Sequence, residues 1–356
     1  MAPQANIPII DISDAGGEEA HVARQLVDAA VEHGFIYIKN TGQYIGLSDI
    51  DGAFDLSKKL FTTAPIEEKA ACTIQTNNRG WSGMHSETLD PKTQKVGDYK
   101  EAFNFGEFKD GKAQQPLPKT IQEDEAQVNS FRDQCHKLCL RLLHLLGVGL
   151  DVQPSDFFSS AHQPSRGESG TILRLLYYPP TSDAAASDSD VRAGAHSDYG
   201  SLTLLFRLPG QAGLEILTRE NTWAPVPVRP AGTESDPSPP ILVNIGDLLS
   251  YWTNGLLRST VHRVVFGGSK TSTTIVDGET DTGPRYSIAF FCHPVGSVAL
   301  DPVPSDRVRG FKPDAGTPNA NPYAEKKVLT ADEHLHMRLA ASYGDLYKSE
   351  ADNVKA

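Results

Sequence analysis

The N-terminal part of the chain alternates short apolar runs with stretches of helical periodicity. The elements predicted there are a strand over residues 7–12, a helix over 18–34, a strand over 35–39, a helix over 47–62 and a long amphipathic helix over 121–150. Gly34 predicts the end of the first helix, because glycine commonly ends helices. Pro65 predicts the start of a further helical turn.

From Thr171 onward the pattern changes to short strand-like runs separated by turns that contain Gly or Pro. These runs cover residues 171–178, 201–206, 213–218, 223–228, 241–252, 259–266 and 285–292. Such strands without intervening helices predict a double-stranded β-helix of jelly-roll type, a closed scaffold whose mouth can hold a small ligand. The predicted fold class is an all-β core with flanking helices, including a helical N-terminal region and a C-terminal helix.

We expect residues 1–356 to form a single catalytic domain in three parts. These are an N-terminal region of helices and strands over 1–168, the jelly-roll core over 169–296, and a C-terminal tail and helix over 297–356. Within the first part, residues 73–118 are polar and rich in Gly, Pro, Asn and Asp. A long irregular segment of this kind predicts either a lid over a binding site or a plain connector.

Two residues in the run GAHSDYG, His196 and Asp198, are candidate metal ligands. On an extended backbone, residues two apart project from the same face, so an imidazole and a carboxylate can reach a common point. This pair alone is a weak signal. His262 is the best third ligand, because it lies in the β-branched run STVHRVV, where a buried imidazole needs a partner. Such a set with open positions suits non-haem Fe(II), and it also suits a hydrolytic Zn²⁺ site.

A second group of polar residues predicts an anion site beside the metal. In the run RYSIAFF, Arg285 and Ser287 are again two apart, so a guanidinium and a hydroxyl face one cavity in a geometry suited to a carboxylate. In the run LRLLYYPP, Arg174 and Tyr178 fall on one strand face. A small dianion bound next to a metal is the simplest ligand for all these groups.

The ordered motifs YYP, HSD, NIGD, VHRVV and RYS, preceded by IPIIDIS and EHGFIYIKN, resemble those of the 2-oxoglutarate- and Fe(II)-dependent dioxygenases of the isopenicillin N synthase-like group. The resemblance covers nearly the whole chain, and several runs look most like fungal members, including thymine-hydroxylase-like enzymes. The implied Fe(II) ligands, which are also the catalytic residues, are His196, Asp198 and His262. The implied contacts of the far carboxylate of 2-oxoglutarate are Arg285, Ser287 and Tyr178.

The chain departs from this family between His262 and Arg285. The spacing of 23 residues is longer than usual, and the extra length is the polar segment over residues 267–283. We interpret it as a surface loop inserted between two barrel strands.

By this resemblance the protein is an Fe(II)/2-oxoglutarate-dependent dioxygenase that also consumes O₂. Such enzymes convert 2-oxoglutarate to succinate and CO₂ and oxidise an unactivated C–H bond by hydroxylation, desaturation or ring formation. We expect a small organic substrate in natural-product tailoring, with a thymine or nucleobase hydroxylase as an alternative. An oxidase of the same fold that needs no 2-oxoglutarate and a catalytically silent binding protein are further alternatives.

Six residues are candidate substrate contacts: Phe291, Tyr199, Arg174, Asn78, Arg79 and Phe103. Phe291 lies at an even offset from Arg285, so its ring should face the same cavity. The last three candidates lie in the irregular segment and would close over the substrate. For each aromatic residue the alternative is ordinary core packing. Asn244 and Asp247, in the NIGD turn, are predicted to be structural.

Composition limits the partners and the compartment. A net charge of −12 and a pI near 5.4 argue against nucleic acid or an anionic membrane as a partner, since both favour a basic surface. Cys135 and Cys139 fall one turn apart on an apolar helix, as buried free thiols do. No run contains the roughly 20 apolar residues that span a bilayer, and the start lacks a signal-peptide pattern. We therefore expect a cytoplasmic protein.

Overall fold

The computed structural model of the chain describes residues 4–13, 17–90, 94, 96–180, 192–211, 213–265, 283–312 and 328–342. The strands are β1 (Ile9–Ile10), β2 (Phe35–Ile38), β3 (Gly80–Ser82), β4 (Glu101–Phe105), β5 (Phe108–Lys109), β6 (Lys112–Ala113), β7 (Ile172–Tyr178), β8 (Ala193–His196), β9 (Leu202–Arg207), β10 (Leu214–Leu217), β11 (Trp223–Pro225), β12 (Ile241–Ile245), β13 (His262–Val264) and β14 (Arg285–Cys292). The α-helices are α1 (Glu19–Glu32), α2 (Leu47–Thr63), α3 (Ile66–Ala70), α4 (Glu125–Gly149), α5 (Phe157–Ala161), α6 (Asp247–Trp252), α7 (Asp306–Gly310) and α8 (Ala331–Ser342).

Two sheets make the β core. The larger has eight strands in the order β1-β2-β12-β9-β14-β7-β4-β3, all antiparallel except for the parallel β1/β2 pair. The smaller has four antiparallel strands in the order β11-β10-β13-β8. The successive strands β8 and β9 lie in different sheets, as do β12 and β13, which is typical of a jelly roll. The predicted class, an all-β core with flanking helices, is confirmed.

Apolar side chains cover both faces of the larger sheet. One cluster lies between the two sheets and includes Leu176, Leu214 and Val264. The other packs α1, α2 and α4 against the outer face and includes Phe54 and Leu142. Burial of each such side chain contributes about 1.5–3 kcal/mol. The helices therefore fix the larger sheet from outside, while its inner face remains available for a site.

Gly34 ends the first helix as predicted. Its φ is +67°, and a Cβ at this position would lie 2.2 Å from the carbonyl oxygen of Arg258. Only glycine accepts both the left-handed backbone and the close approach. The chain can therefore turn directly into β2, where Phe35 packs edge-on against the ring of His262 at 5.5 Å.

Three element predictions need correction. Residues 73–118 are not irregular throughout, because β3 and β4 pair with each other and β4 pairs with β7 in the larger sheet. The single strand predicted over 241–252 ends at Ile245, and α6 follows. Gly246 breaks the strand there, and Asp247 suits the first turn of a helix through the helix dipole. The long helix α4 begins at Glu125, after a 3-10 segment over Lys119–Asp124.

The predicted C-terminal helix is present as α8. Nearly all of the predicted insertion over 267–283 lies outside the described residues. Among the helices that the structure describes, none combines the length and the apolar character needed to cross a membrane.

Candidate metal centre and co-substrate pocket

The candidate metal ligands meet at one end of the smaller sheet. His196 closes β8, Asp198 follows in the next turn, and His262 opens β13. Because β8 and β13 are antiparallel neighbours, His196 and His262 are directly paired across the two strands. Their ring centroids are 4.4 Å apart. The pairing therefore brings together residues that lie far apart in the sequence.

The donor atoms of these three residues converge. One carboxylate oxygen of Asp198, Oδ1, lies 3.7 Å from Nε2 of His196 and 3.7 Å from Nε2 of His262. All three donor atoms lie within 4.8 Å of one another. These separations are too long for good hydrogen bonds, but they leave room for one ion in contact with all three atoms.

Both imidazoles are held in the tautomer that a metal requires. Nδ1 of His196 lies 2.7 Å from the carbonyl oxygen of Gly194, and Nδ1 of His262 lies 3.1 Å from that of Thr260. A backbone carbonyl can only accept, so each Nδ1 carries the proton and each Nε2 presents a lone pair. Each ring is thereby oriented by its own strand.

The second oxygen of Asp198, Oδ2, is fixed from the larger sheet. Thr203 and Asn244 each donate a hydrogen bond to it at 2.7 Å. These two residues are direct partners across β9 and β12. Asn244, predicted to be structural, therefore orients the candidate ligand, and Thr203 was not singled out in the sequence. Asn244 is the one polar residue of β12, and Thr203 is the one polar residue among positions 202–206 of β9, which is the signal that points to them.

The protonation states of these groups suit cation binding. Burial and the neighbouring His262 lower the pKa of His196 to about 4, so its imidazole is neutral near pH 7. Burial alone would raise the pKa of Asp198. The two imidazoles and the hydrogen bonds from Asn244 and Thr203 outweigh that effect and lower the pKa.

Asp247 joins the two segments that carry the ligands. Its carboxylate accepts hydrogen bonds from Ser197 at 3.0 Å and from Ser259 at 2.6 Å. Its backbone N–H donates to the carbonyl oxygen of Asp198 at 2.7 Å. The same carboxylate pairs with Arg338 of α8 at 2.7 Å. A residue predicted to be structural thus connects the metal-binding turn to the C-terminal helix.

The paired strands β7 and β14 form the floor of the adjoining cavity. Their inward-facing pairs are Arg285 with Tyr178, Ser287 with Leu176, Ala289 with Arg174 and Phe291 with Ile172. At one end, the guanidinium of Arg285 lies over the Tyr178 ring at 4.9 Å and donates to Ser287 Oγ at 3.4 Å. Arg285 is only 3% exposed. A buried guanidinium beside a hydroxyl is suited to a carboxylate.

The residues present therefore fit the groups that the sequence predicts. Two neutral imidazoles and one carboxylate suit Fe(II), which takes such a set on one side and leaves other positions open. The cavity that these ligands line also contains Arg285, Ser287 and Tyr178. One carboxylate of 2-oxoglutarate could bind there while its keto-acid end faces the metal ligands.

Four of the six predicted substrate residues line this cavity: Asn78, Arg174, Tyr199 and Phe291. Arg174, however, already holds a carboxylate. Its Nη1 and Nη2 donate to the two oxygens of Glu87 at 3.2 and 2.6 Å. The predicted role of Arg174 as a direct contact for a carbonyl or carboxylate of the substrate therefore needs revision.

Phe103 and Arg79 lie outside the cavity. Phe103 is fully buried in the core on the helix side of β4, with its ring 4.8 Å from that of Phe105. The strand alternation accounts for this position, because it directs Lys100 to the cavity and Phe103 to the opposite face. The Arg79 side chain packs over Gly106. A Cβ added to Gly106 would lie 2.3 Å from Nε of Arg79.

Several lining residues were not identified from the sequence. Glu87, Leu89 and Lys100 come from the segment before β4, and Leu335 and Leu339 come from α8. Alternation along KEAFNF could have indicated Lys100, since it shares a face with Ala102 and Asn104. The sequence contains no comparable local signal for the others.

Models of two protein families match this chain. The model described as the N-terminal region of non-haem dioxygenases in morphine synthesis matches residues 7–127, and that of the 2OG-Fe(II) oxygenase superfamily matches residues 169–294. The chain belongs to the 2OG-Fe(II) oxygenase superfamily. It is an enzyme of the class that uses Fe(II), 2-oxoglutarate and O₂.

Two fungal relatives and one solved structure match this chain over more than nine-tenths of its length. The chain is 38% identical to a UPF0676 protein of Schizosaccharomyces pombe, over 95% of this chain and 93% of that one. It is 30% identical to the 2-oxoglutarate-dependent dioxygenase htyE of Aspergillus rugulosus, over 93% and 96% of the two chains. Among solved structures, a Neurospora crassa thymine hydroxylase in complex with α-ketoglutarate and thymine is similar, with a TM-score of 0.73 and 28% identity over 94% of this chain and 96% of that one.

Proposed function

We propose that this oxygenase oxidises an unactivated C–H bond of a small organic substrate in natural-product tailoring. In this proposal His196, Asp198 and His262 bind Fe(II), and Arg285, Ser287 and Tyr178 hold 2-oxoglutarate. The convergence of two Nε2 atoms and one carboxylate oxygen within 4.8 Å, in a cavity that also contains a buried arginine, carries the assignment.

When bound, Fe(II) and 2-oxoglutarate would activate O₂, with one oxygen atom entering succinate as 2-oxoglutarate loses CO₂ and the other available to oxidise the substrate C–H bond. The side chains supply position and shielding. Thr203 and Asn244 keep one oxygen of Asp198 occupied, so that the other is directed to the metal. Arg285 fixes the direction of the co-substrate from the far end. Leu335, Leu339 and Tyr199 pack together on the cavity wall, where their apolar surfaces would shield the site from water.

Natural-product tailoring is supported by the fungal relatives named as 2-oxoglutarate-dependent dioxygenases and by one named as a proline hydroxylase, which is 32% identical over 81% of this chain. A nucleobase hydroxylase is the second candidate. It is supported by the similarity to the thymine hydroxylase structure and by the presence of Asn78 and Phe291 in the cavity. Natural-product tailoring is the first candidate because relatives 30–32% identical to this chain support it, whereas the thymine hydroxylase structure is 28% identical.

A hydrolytic zinc site and a silent binding protein account less well for the cavity. Neither gives a role to the buried Arg285 and Ser287 beside the metal ligands. An oxidase without 2-oxoglutarate would have to use those two residues for its substrate instead.

The test is an anaerobic titration followed by turnover. Adding 2-oxoglutarate to the Fe(II)-loaded protein should produce a weak visible charge-transfer band. Admission of O₂ should then yield succinate, in an amount that depends on Fe(II). If 2-oxoglutarate gives no band and no succinate forms, the proposed function is wrong. If hydrolytic activity appears with Zn²⁺ instead, the zinc alternative replaces it.

A further inference from the structure

Lys100 is a buried cation on the cavity wall that the proposed function does not use. It is 4% exposed and precedes β4. Its Nζ lies 2.9 Å from Oε2 of Glu87 and donates a hydrogen bond to Asp98. An ammonium has three N–H donors, so two are directed to these carboxylates and one is left for the cavity that Lys100 lines.

The two partners of Lys100 are themselves held by strands of the site, Glu87 by β7 and Asp98 by β8. Glu87 is held by the two hydrogen bonds from Arg174 on β7. The carboxylate of Asp98 also accepts from the backbone N–H of Gly194 at 3.1 Å, two residues before His196. The ammonium therefore cannot swing away without breaking this network.

Lys100 lies near both the metal ligands and the co-substrate clamp. It lines the same cavity as the ligands His196, Asp198 and His262 and as the clamp residues Arg285, Ser287 and Tyr178. The remaining donor is therefore available to a molecule bound in this cavity. A substrate must enter this cavity to reach the metal ligands.

The charges around the cavity balance before a substrate enters. Lys100 and Arg174 are matched by Glu87 and Asp98. At the metal end, Asp198 and Arg285 together with Fe²⁺ and the 2-oxoglutarate dianion also sum to zero. Bringing an additional unpaired charge into a buried site is strongly unfavourable. An uncharged substrate avoids this cost.

We propose that Lys100 is a specificity-determining residue, which donates a hydrogen bond to a carbonyl oxygen of an uncharged substrate. The carbon skeleton of that substrate packs against Leu89, Ile172, Phe291 and Leu335. Glu87 and Arg174 act as positioning residues for Lys100 and do not touch the substrate carbonyl. This inference rests on the proposed function, because it assigns the remaining cavity to the substrate.

The first test uses the wild-type protein crystallised without O₂ in complex with Mn(II) and 2-oxoglutarate. Crystals are soaked with matched pairs of probes, benzamide with benzoate and cyclohexanecarboxamide with cyclohexanecarboxylate. The amides should bind in the cavity with their carbonyl oxygen in hydrogen-bond contact with Lys100 Nζ. Density for 2-oxoglutarate at Arg285 in the same crystals reports separately on the proposed function.

Two results would overturn the inference while leaving the proposed function intact. Carboxylates could occupy the cavity as readily as the amides, or no amide could be seated at Lys100 although 2-oxoglutarate is bound. Absence of 2-oxoglutarate from Arg285 would instead count against the proposed function.

The second test compares two lysine variants in solution. Lys100→Met should weaken benzamide binding to the Mn(II) and 2-oxoglutarate complex by about 10-fold or more, the usual effect of losing a hydrogen bond from a charged group. Lys69→Met is the matched control. Lys69 is also buried and paired with a carboxylate, at 2.8 Å from Glu101, but it lies outside the cavity.

Thermal melting of both variants shows whether they fold equally well. Benzamide affinity that is unchanged in a folded Lys100→Met protein contradicts the inference. An equal loss of 2-oxoglutarate affinity in that variant also contradicts it, because Lys100 would then serve the co-substrate.

Discussion

The two ends of the cavity are built in different ways. At the metal end every side chain comes from a barrel strand or the turn after it, and each is held by a backbone carbonyl or by a neighbouring strand. At the substrate end several side chains lie outside the strands, namely Asn78, Glu87, Leu89 and Lys100 before β4 and Leu335 and Leu339 on α8. Those segments are attached by ion pairs such as Glu87 with Arg174 and Asp247 with Arg338.

Because of this difference, the residues that bind the metal are not the residues that select the substrate. Metal chemistry needs donor atoms placed within a few tenths of an ångström, and paired strands provide that precision. Substrate choice depends on groups that can change without disturbing the barrel. The variants below test whether the two ends are separable, from the largest expected effect to the smallest.

Loss of a metal ligand should abolish the reaction. His262→Ala removes one of only three protein donors, so Fe(II) binding and succinate formation should fall below detection while circular dichroism stays unchanged. Metal content and turnover are measured together. The control is His144→Ala, which removes a half-exposed histidine on α4 near Glu19. Normal Fe(II) content in His262→Ala would show that the metal lies elsewhere.

Loss of the buried guanidinium should mainly affect the co-substrate. We expect Arg285→Gln to weaken 2-oxoglutarate binding by at least about 30-fold, since removing one partner of a buried charge pair commonly costs 2–5 kcal/mol. Calorimetry of the Mn(II) protein measures the effect. Arg207→Gln is the control, because Arg207 is also buried but donates to the carbonyls of Val226 and Pro227. Normal 2-oxoglutarate affinity in the Arg285 variant would show that other residues bind the far carboxylate of 2-oxoglutarate.

Loss of the hydrogen bond from Asn244 to Asp198 should have an intermediate effect. We expect Asn244→Ala to lower Fe(II) affinity by about 10- to 100-fold, as the loss of such a hydrogen bond to a ligand usually does. Competition with a metal chelator gives the affinity. Asn40→Ala removes a buried asparagine that donates to the carbonyl of Ile45, and it should lower stability without changing metal affinity. Equal effects of the two variants on metal affinity would argue against a specific role for Asn244.

Loss of the ion pair that attaches α8 should have the smallest effect. Arg338→Gln removes a partly exposed ion pair with Asp247 that is worth about 1 kcal/mol, so opening of α8 should become about 5-fold more frequent. Hydrogen exchange of the amides of α8 measures this opening. Arg309→Gln, which breaks an exposed ion pair with Asp306, is the control and should leave α8 unchanged. Faster exchange at the metal-binding turn as well would show that the two ends are not separable.

The sequence predicted the metal end better than the substrate end, for a physical reason. Strand alternation is a local property, so it assigned Arg285, Ser287 and Phe291 to one face of β14 and to the cavity. The pairing of Arg174 with Glu87 joins residues far apart in the chain and has no local pattern. Phe103 was misassigned because the phase of β4 was not recognised within a polar segment.

The helix α6 shows a similar limit. Four of its six residues, Leu248, Leu249, Tyr251 and Trp252, are apolar or aromatic, a composition that suits a buried strand as well as a buried helix. The Gly246 and Asp247 pair decides between them, by ending β12 and starting the helix. Asp247 then takes part in a network with Ser197, Ser259 and Arg338 that only the folded chain brings together.

The central claim is that three distant side chains bind one ferrous ion beside an anchored 2-oxoglutarate. X-ray diffraction at the iron absorption edge, from anaerobic crystals containing Fe(II) and 2-oxoglutarate, tests it most directly. The account predicts one anomalous peak in contact with His196 Nε2, Asp198 Oδ1 and His262 Nε2, and a 2-oxoglutarate carboxylate on Arg285. An iron peak away from these atoms, or 2-oxoglutarate bound without contact to Arg285, would contradict it.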